Sequence, residues 1–268
     1  MSKLRDAATR RTVGVRDIPL VLLAPRRLFA RVEDVAAYGW PLVILLTAVT
    51  LIGYATVQTG LIDREIDRAV DESIARLESE QRDVVERSAL REMYEREYEL
   101  GEFKKLLTRI QVVVAEPAKV LGMTLLVAAV LYGVVALSGR KPEWHTLLTI
   151  CVFAGFIDVL RLLMTLALML RYETLQVDTS LALLARLMAK DDGVGPMSLA
   201  VASGSLSALD PFGMWFWLVV VIGLSATAQL RGWRAWVTCS LCWLVAGGVR
   251  CGLAVAAAQS AATVATNG

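Results

Sequence analysis

LLTICVFAGFIDVLRLLMTLALML, residues Leu147–Leu170, is the stretch that decides how this chain folds. It is apolar apart from Asp158 and Arg161. At about 1.5 Å per residue it is long enough to cross a hydrocarbon core of about 30 Å as a helix. The two charges are three residues apart and so share a helix face. Ionisable groups at mid-membrane depth cost about 3 kcal/mol or more and usually face protein or water, not lipid. A chain built around such a segment is a membrane protein, and its two charges are the first place to look for activity.

The rest of the composition agrees. The 268 residues are 56% hydrophobic, with a mean hydropathy of +0.55, which belongs to the membrane class. A net charge of +2 is too small to argue for a nucleic-acid partner. Cys151, Cys239, Cys242 and Cys251 all lie in apolar runs, so an extracellular disulfide framework is not expected. His145 is the single histidine, which excludes a histidine-rich metal site. No P-loop, Gly-rich dinucleotide turn or zinc-protease motif is present, so no cofactor and no enzyme activity are expected.

Outward from Leu147, four further apolar runs read as spans: Pro41–Gly60, Pro117–Gly139, Phe212–Leu230 and Trp236–Ala257. The fold class is therefore all-α, an integral membrane bundle of five transmembrane helices. The first run begins only after about forty residues, and these carry many charges. A cleavable signal peptide has a shorter charged start, so this run reads as a permanent anchor. Residues 1–37 hold eight Lys/Arg and four Asp/Glu. Within them, Arg16–Val35 mixes an apolar face with Arg26, Arg27 and Arg31, and Pro25 suits a helix start. Two readings stand: a helix on the inner membrane surface, or a packed helix covering the end of the bundle.

Leu61–Ile110 is different in kind. It holds fourteen Asp/Glu and ten Lys/Arg, with no Gly or Pro before Gly101. Ile66, Val70, Ile74, Leu77 and Val84 mark a narrow apolar stripe at helical spacing. A second segment, carrying Leu90, Met93, Tyr94, Leu100, Phe103, Leu106, Leu107 and Ile110, leads back. The expectation is a charged helical hairpin outside the membrane. Its stripe serves either for packing of the two arms on each other or for docking a protein partner. Residues 173–210 read as a weakly acidic interfacial loop, and residues 259–268 as a loose tail.

Lys/Arg counts set the topology. The basic start, Arg140/Lys141 and Arg231/Arg234 fall on one side, so the N-terminus is expected in the cytoplasm and the C-terminus outside. Asp158 lies thirteen residues past His145, Arg161 sixteen, and Arg250 fourteen past Trp236. All three reach about 20–24 Å along their helices, which predicts a mid-membrane cluster of Asp158, Arg161 and Arg250. Such a cluster is an ionic staple, or it lines a path for a solute or ion. Gly248, Gly252 and Ala256 give the last span a small face for close packing, on another span or on a second copy. The pair Cys239 and Cys242 has redox spacing, but an apolar helix supplies neither a lowered pKa nor access.

Three motifs carry a family likeness. Leu209-Asp210-Pro211-Phe212-Gly213-Met214-Trp215, followed by Val221-Ile222-Gly223-Leu224, resembles the C-terminal signature of the Yip (Ypt-interacting protein) domain family. Leu23-Ala24-Pro25-Arg26-Arg27-Leu28-Phe29 with Trp40-Pro41-Leu42 is similar to that family's N-terminal part, and Ala115–Leu121 to the start of its second span. The resemblance implies five spans with a cytosolic N-terminus. Eukaryotic members act in vesicle traffic with Rab-type GTPases, and some bacterial members are associated with efflux-type ABC transporters. The long charged hairpin looks like the bacterial branch, which implies the bacterial inner membrane. The resulting expectation is a non-enzymatic scaffold or accessory subunit, touching lipid and a protein partner (a transporter subunit or a second copy). The alternative is a small-solute or ion permease using the charge cluster.

Overall fold

The computed structural model describes residues 13–32, 36–81, 87–172, 210–230 and 232–245, with positions 248, 252 and 256 beyond them. All regular structure among these is helical: α1 (Ile18–Leu23), α2 (Pro25–Phe29), α3 (Gly39–Gln58), α4 (Leu61–Gln81), α5 (Arg87–Ile110), α6 (Glu116–Leu137), α7 (Trp144–Tyr172) and α8 (Pro211–Ala226). A ninth, α9, runs over 233–245. A π turn, Gln111–Ala115, joins α5 to α6 without a break. Three described helices are long and apolar enough to cross a membrane: Gly39–Gln58, Ala89–Leu137 and Trp144–Tyr172. The fourth expected span is the apolar but shorter α8. Much of the fifth, the expected interfacial loop over 173–209 and the tail lie outside the described residues.

The chain divides into two compact units. The first comprises Met1–Leu45, Gly122–Arg161 and Asp178–Gly268. Its centre is the first half of α7, where every residue from Thr146 to Ile157 is buried. A membrane helix buried on all sides needs protein around it, and small residues let that protein approach. At Gly155, an added Cβ would come within 3.0 Å of the Leu45 side chain. At Gly223 of α8, a Cβ would meet Ile150 at 2.7 Å, so only glycine fits there without displacement. α6 buries Thr124, Ala128, Leu131 and Val135, one stripe at four- and three-residue spacing.

The N-terminal segment does not form one long helix. Ala24 leaves the helical region (φ −152°, ψ 61°) because Pro25 disfavours the α conformation in the residue before it. Two short helices result, tied by an ion pair between Arg31 and Asp17 at 2.9 Å. Their apolar side is spent on packing: Val21, Leu28 and Phe29 are fully buried, and α2 lies on α8.

The second unit comprises Leu46–Leu121 and Leu162–Val177. In it α4 and α5 pack antiparallel. Asp63 faces Arg109 at 2.7 Å, Asp67 faces Lys105 at 2.6 Å, and Val70 packs on Gly101. Hydrogen bonds to Asp67 and then Glu102 raise the pKa of Lys105 well above the usual lysine range, and a hydrogen bond to Asp63 raises that of Arg109. Lower in the unit, α3 meets the π turn. An added Cβ at Gly53 would stand 2.5 Å from the Val112 carbonyl oxygen, a backbone atom that cannot swing away.

Two outcomes follow from these contacts. Gly53→Ala should lower stability by about 1–3 kcal/mol through overpacking. Gly122→Ala, where a Cβ meets nothing, should be neutral or stabilising by up to about 1 kcal/mol; thermal unfolding in detergent followed by circular dichroism separates the two. A lysine whose pKa is raised on folding stabilises fully below the free-lysine value of about 10.4, and its contribution fades as pH rises through the raised value. The loss of stability caused by Lys105→Met should therefore be the same at about pH 7 and at about pH 10, and a clearly smaller loss at the higher pH would show that Lys105 has already given up its proton there.

Candidate functional site

Asp158 and Arg161 lie on one face of α7, and Arg161 Nη2 contacts Asp158 Oδ1 at 3.2 Å. The second arm of the guanidinium reaches another helix: Nη1 donates to Asp210 Oδ2 at 3.2 Å. Asp210 is the N-cap of α8. Its Oδ1 accepts the Phe212 backbone N–H at 3.0 Å, and Pro211 at the next position suits the first turn. The Asp210 side chain is only 6% exposed. Both its oxygens are therefore used, one in the cap and one on Arg161. The arginine bridges two carboxylates, one near it in sequence and one forty-nine residues away.

The other end of the α7–α8 pair has its own polar set. Gln229 donates to Glu143 at 2.8 Å, and the Thr146 hydroxyl donates to the same carboxylate oxygen at 2.9 Å. Arg140 donates to the Ala228 carbonyl, just past the carboxyl end of α8, where a cation is favoured by the helix dipole. Ala228 has φ +59°, a left-handed conformation usual for glycine after a helix. The Tyr38 ring stacks on His145 with centroids 5.9 Å apart, and Trp144 meets Tyr132 edge-on. Three pairings, 143 with 229, 150 with 223 and 161 with 210, fix one antiparallel register along the whole of α8.

Of the residues expected to act together, Asp158 and Arg161 do meet, whereas Arg250 lies outside the described residues. The partner missed by sequence reasoning is Asp210. Asp-Pro ahead of an apolar run marks a helix start, and a capping carboxylate is also an acceptor for a cation. Arg161 is level with the first turn of α8, where a helix end already requires polar partners. Gly248 and Gly252 are exposed, and a Cβ on either would meet nothing among the described residues. In the α4 stripe, Val70 is buried and Ile66, Ile74 and Leu77 are half-buried, on the side where Val70 meets α5. Val84 lies outside the described residues. Cys239 is buried and Cys242 partly so, and Cys239 stands on the wall of an apolar cleft of about 460 Å³ lined by Trp215, Trp217, Trp236 and Trp243. No group of three His, Cys, Asp or Glu side chains able to hold a metal occurs among the described residues.

Chemically, the Asp158–Arg161–Asp210 cluster can join two helices and complete a helix terminus. Asp210→Ala should remove both roles and cost about 2–4 kcal/mol, while Asp210→Asn keeps a cap acceptor and should cost about half of that. Asp158→Asn leaves Arg161 its bond to Asp210 and should cost less than Asp210→Ala. Equal losses for all three in detergent melts would contradict this ordering.

A family model described as Yip1 domain matches residues 20–250. No curated protein and no solved structure matches the chain.

Proposed function

The chain belongs to the Yip1 domain family, and from that premise we propose a membrane scaffold or accessory subunit that works through protein contacts. The family's members are non-enzymatic membrane proteins that act through protein interactions, and the apolar helices fit an integral membrane protein. The finer reading has five spans, a charged helical hairpin over 61–110 outside the membrane and an inner surface at 16–35. It has the N-terminus in the cytoplasm, the C-terminus outside, and the bacterial inner membrane as location. The efflux-type ABC transporter is the proposed partner.

The observation that carries the scaffold reading is how the polar groups are used. The charges on α7 and at the start of α8 bond to one another, which leaves the α4–α5 pair as the chemically distinctive surface. Tyr38 stacks on His145 and Trp144 meets Tyr132, rings of the kind found at either membrane interface, and it is the nearby Arg140 and Lys141 that favour the cytoplasmic side for this end. The permease alternative needs Asp158, Arg161 and Arg250 to be available to a solute, and the first two are bonded to each other.

The test is purification of the full chain from cross-linked membranes beside a variant in which residues 61–110 are replaced by a short flexible linker. Transporter subunits should accompany the full chain, and their yield should fall at least about tenfold with the variant, which should still insert. Equal recovery with both forms would remove the hairpin as the docking surface. Solute flux that disappears in Asp158→Asn would replace the scaffold reading with the permease.

A further inference from the structure

The apolar cleft between α8 and α9 does not end at its tryptophans. A second cleft of about 450 Å³ meets it at Val221 and Trp236, which line both, and carries on past Ser225 and Ala226 to Arg26 and Ala30. Met214, Leu218, Val221 and Ser225 recur at four-, three- and four-residue spacing, so one face of α8 runs the length of both. The eleven residues from Met214 to Ser225 cover about 16 Å, which is about one leaflet of a hydrocarbon core of about 30 Å. This groove is open along its side, because Met214, Leu218 and Trp236 are exposed among the described residues. Its two ends differ. The far end is lined by Trp215, Trp217 and Trp243. At the near end Arg26 is exposed and forms no ion pair among the described residues, whereas Arg31 of the same segment is held by Asp17. Arg140 bonds to the Ala228 carbonyl just past this end of α8, and two arginines at one helix end mark it as the end at the membrane surface.

We propose that the groove holds a membrane phospholipid of net negative charge, with its phosphate on Arg26 and one acyl chain laid along α8. The order of the lining selects this occupant. A cation and Ser225 stand at the surface end and mainly apolar walls follow, which is the order, over one leaflet's depth, in which a lipid presents its headgroup and chain. A guanidinium takes a phosphate through paired N–H bonds, and basic pockets between helices at the membrane surface take anionic headgroups. Arg26 is also held in place beforehand. Leu28 and Phe29 of the same short helix are fully buried and α2 lies on α8, so little freedom is lost when the headgroup binds. Lipid already surrounds the spans and enters an open groove without being recruited. The site lies within the first unit and is independent of the α4–α5 pair.

The cleft's own tryptophans supply the test. The full chain, with Trp40, Trp144 and Trp233 replaced by phenylalanine, is reconstituted in phosphatidylcholine vesicles that contain a small fraction of lipid brominated on its acyl chains. Brominated phosphatidylglycerol should quench the remaining tryptophan fluorescence at least about twofold more than the same fraction of brominated phosphatidylcholine. Arg26→Gln should bring the two values together. Lys141→Gln removes an exposed cation that does not line the groove and should leave the difference unchanged. Ser240→Phe fills the apolar part and should also close the gap. Equal quenching by the two lipids in the unaltered chain would overturn the proposal, and so would equal losses in Arg26→Gln and Lys141→Gln, which mean attraction to a basic surface without a site. Quenching by neither lipid would overturn it too, because protein would then fill the groove. Arg26 and Ser240 are both exposed, and unchanged helicity of each variant excludes misfolding as the cause.

Discussion

The first unit depends on the enclosure of one helix. Lipid offers apolar side chains as good a solvent as other protein does, so helices in a membrane gain little by hiding leucines from it. What holds α7 inside protein from Thr146 to Ile157 is close fit and polar pairing. Gly223 lets α8 come down onto Ile150, Leu45 fills the space over Gly155, and polar groups bind the pair at each end. The hydroxyls of Thr146 and Thr149 are taken by Glu143 and by the His145 carbonyl, so burial strands neither. Remove the glycine or the end pairs, and the same apolar helices could slide past one another at little cost.

That dependence explains what could and could not be read beforehand. The apolar runs located α3, α6, α7 and α8 to within a few residues, because length and hydropathy act on each helix separately. Pro25 and Pro211 marked two helix starts through rules that are equally local. The register between helices is not local. Counting residues from the membrane edge gave Arg161 a partner at equal depth on the last span and passed over Asp210. The count set α7 only against the last span, whereas the helix that meets Arg161 is α8, which has only sixteen residues. Its first turn therefore lies beside a residue well along the twenty-nine-residue α7, and the carboxylate that caps it is within reach of Arg161.

The charged helices pose the opposite difficulty. The stripe on α4 was visible as a helical face, but a stripe has the same appearance whether it meets its own neighbour or a foreign protein. The structure turns Val70 onto Gly101. The more telling surface was in α5, where apolar residues are numerous enough to hide the fact that they form two faces. One face is small and charged, with Gly101, Lys105 and Arg109. The other is a run of large apolar side chains, Leu100, Phe103, Leu107 and Ile110, that are exposed among the described residues. Only the placing of α4 separates them.

The motifs behind the family likeness can now be given physical roles. Asp210 caps α8 and accepts from Arg161, Pro211 starts the helix, and Gly223 admits Ile150. Phe29, in the N-terminal motif, is fully buried. Each of these side chains or Cα positions is occupied by the bundle itself. Such residues specify a way of packing helices and leave little chemistry free to select a partner. The scaffold reading proposed above assigns that selection to the α4–α5 pair, which is charged on one face and carries exposed apolar side chains on another.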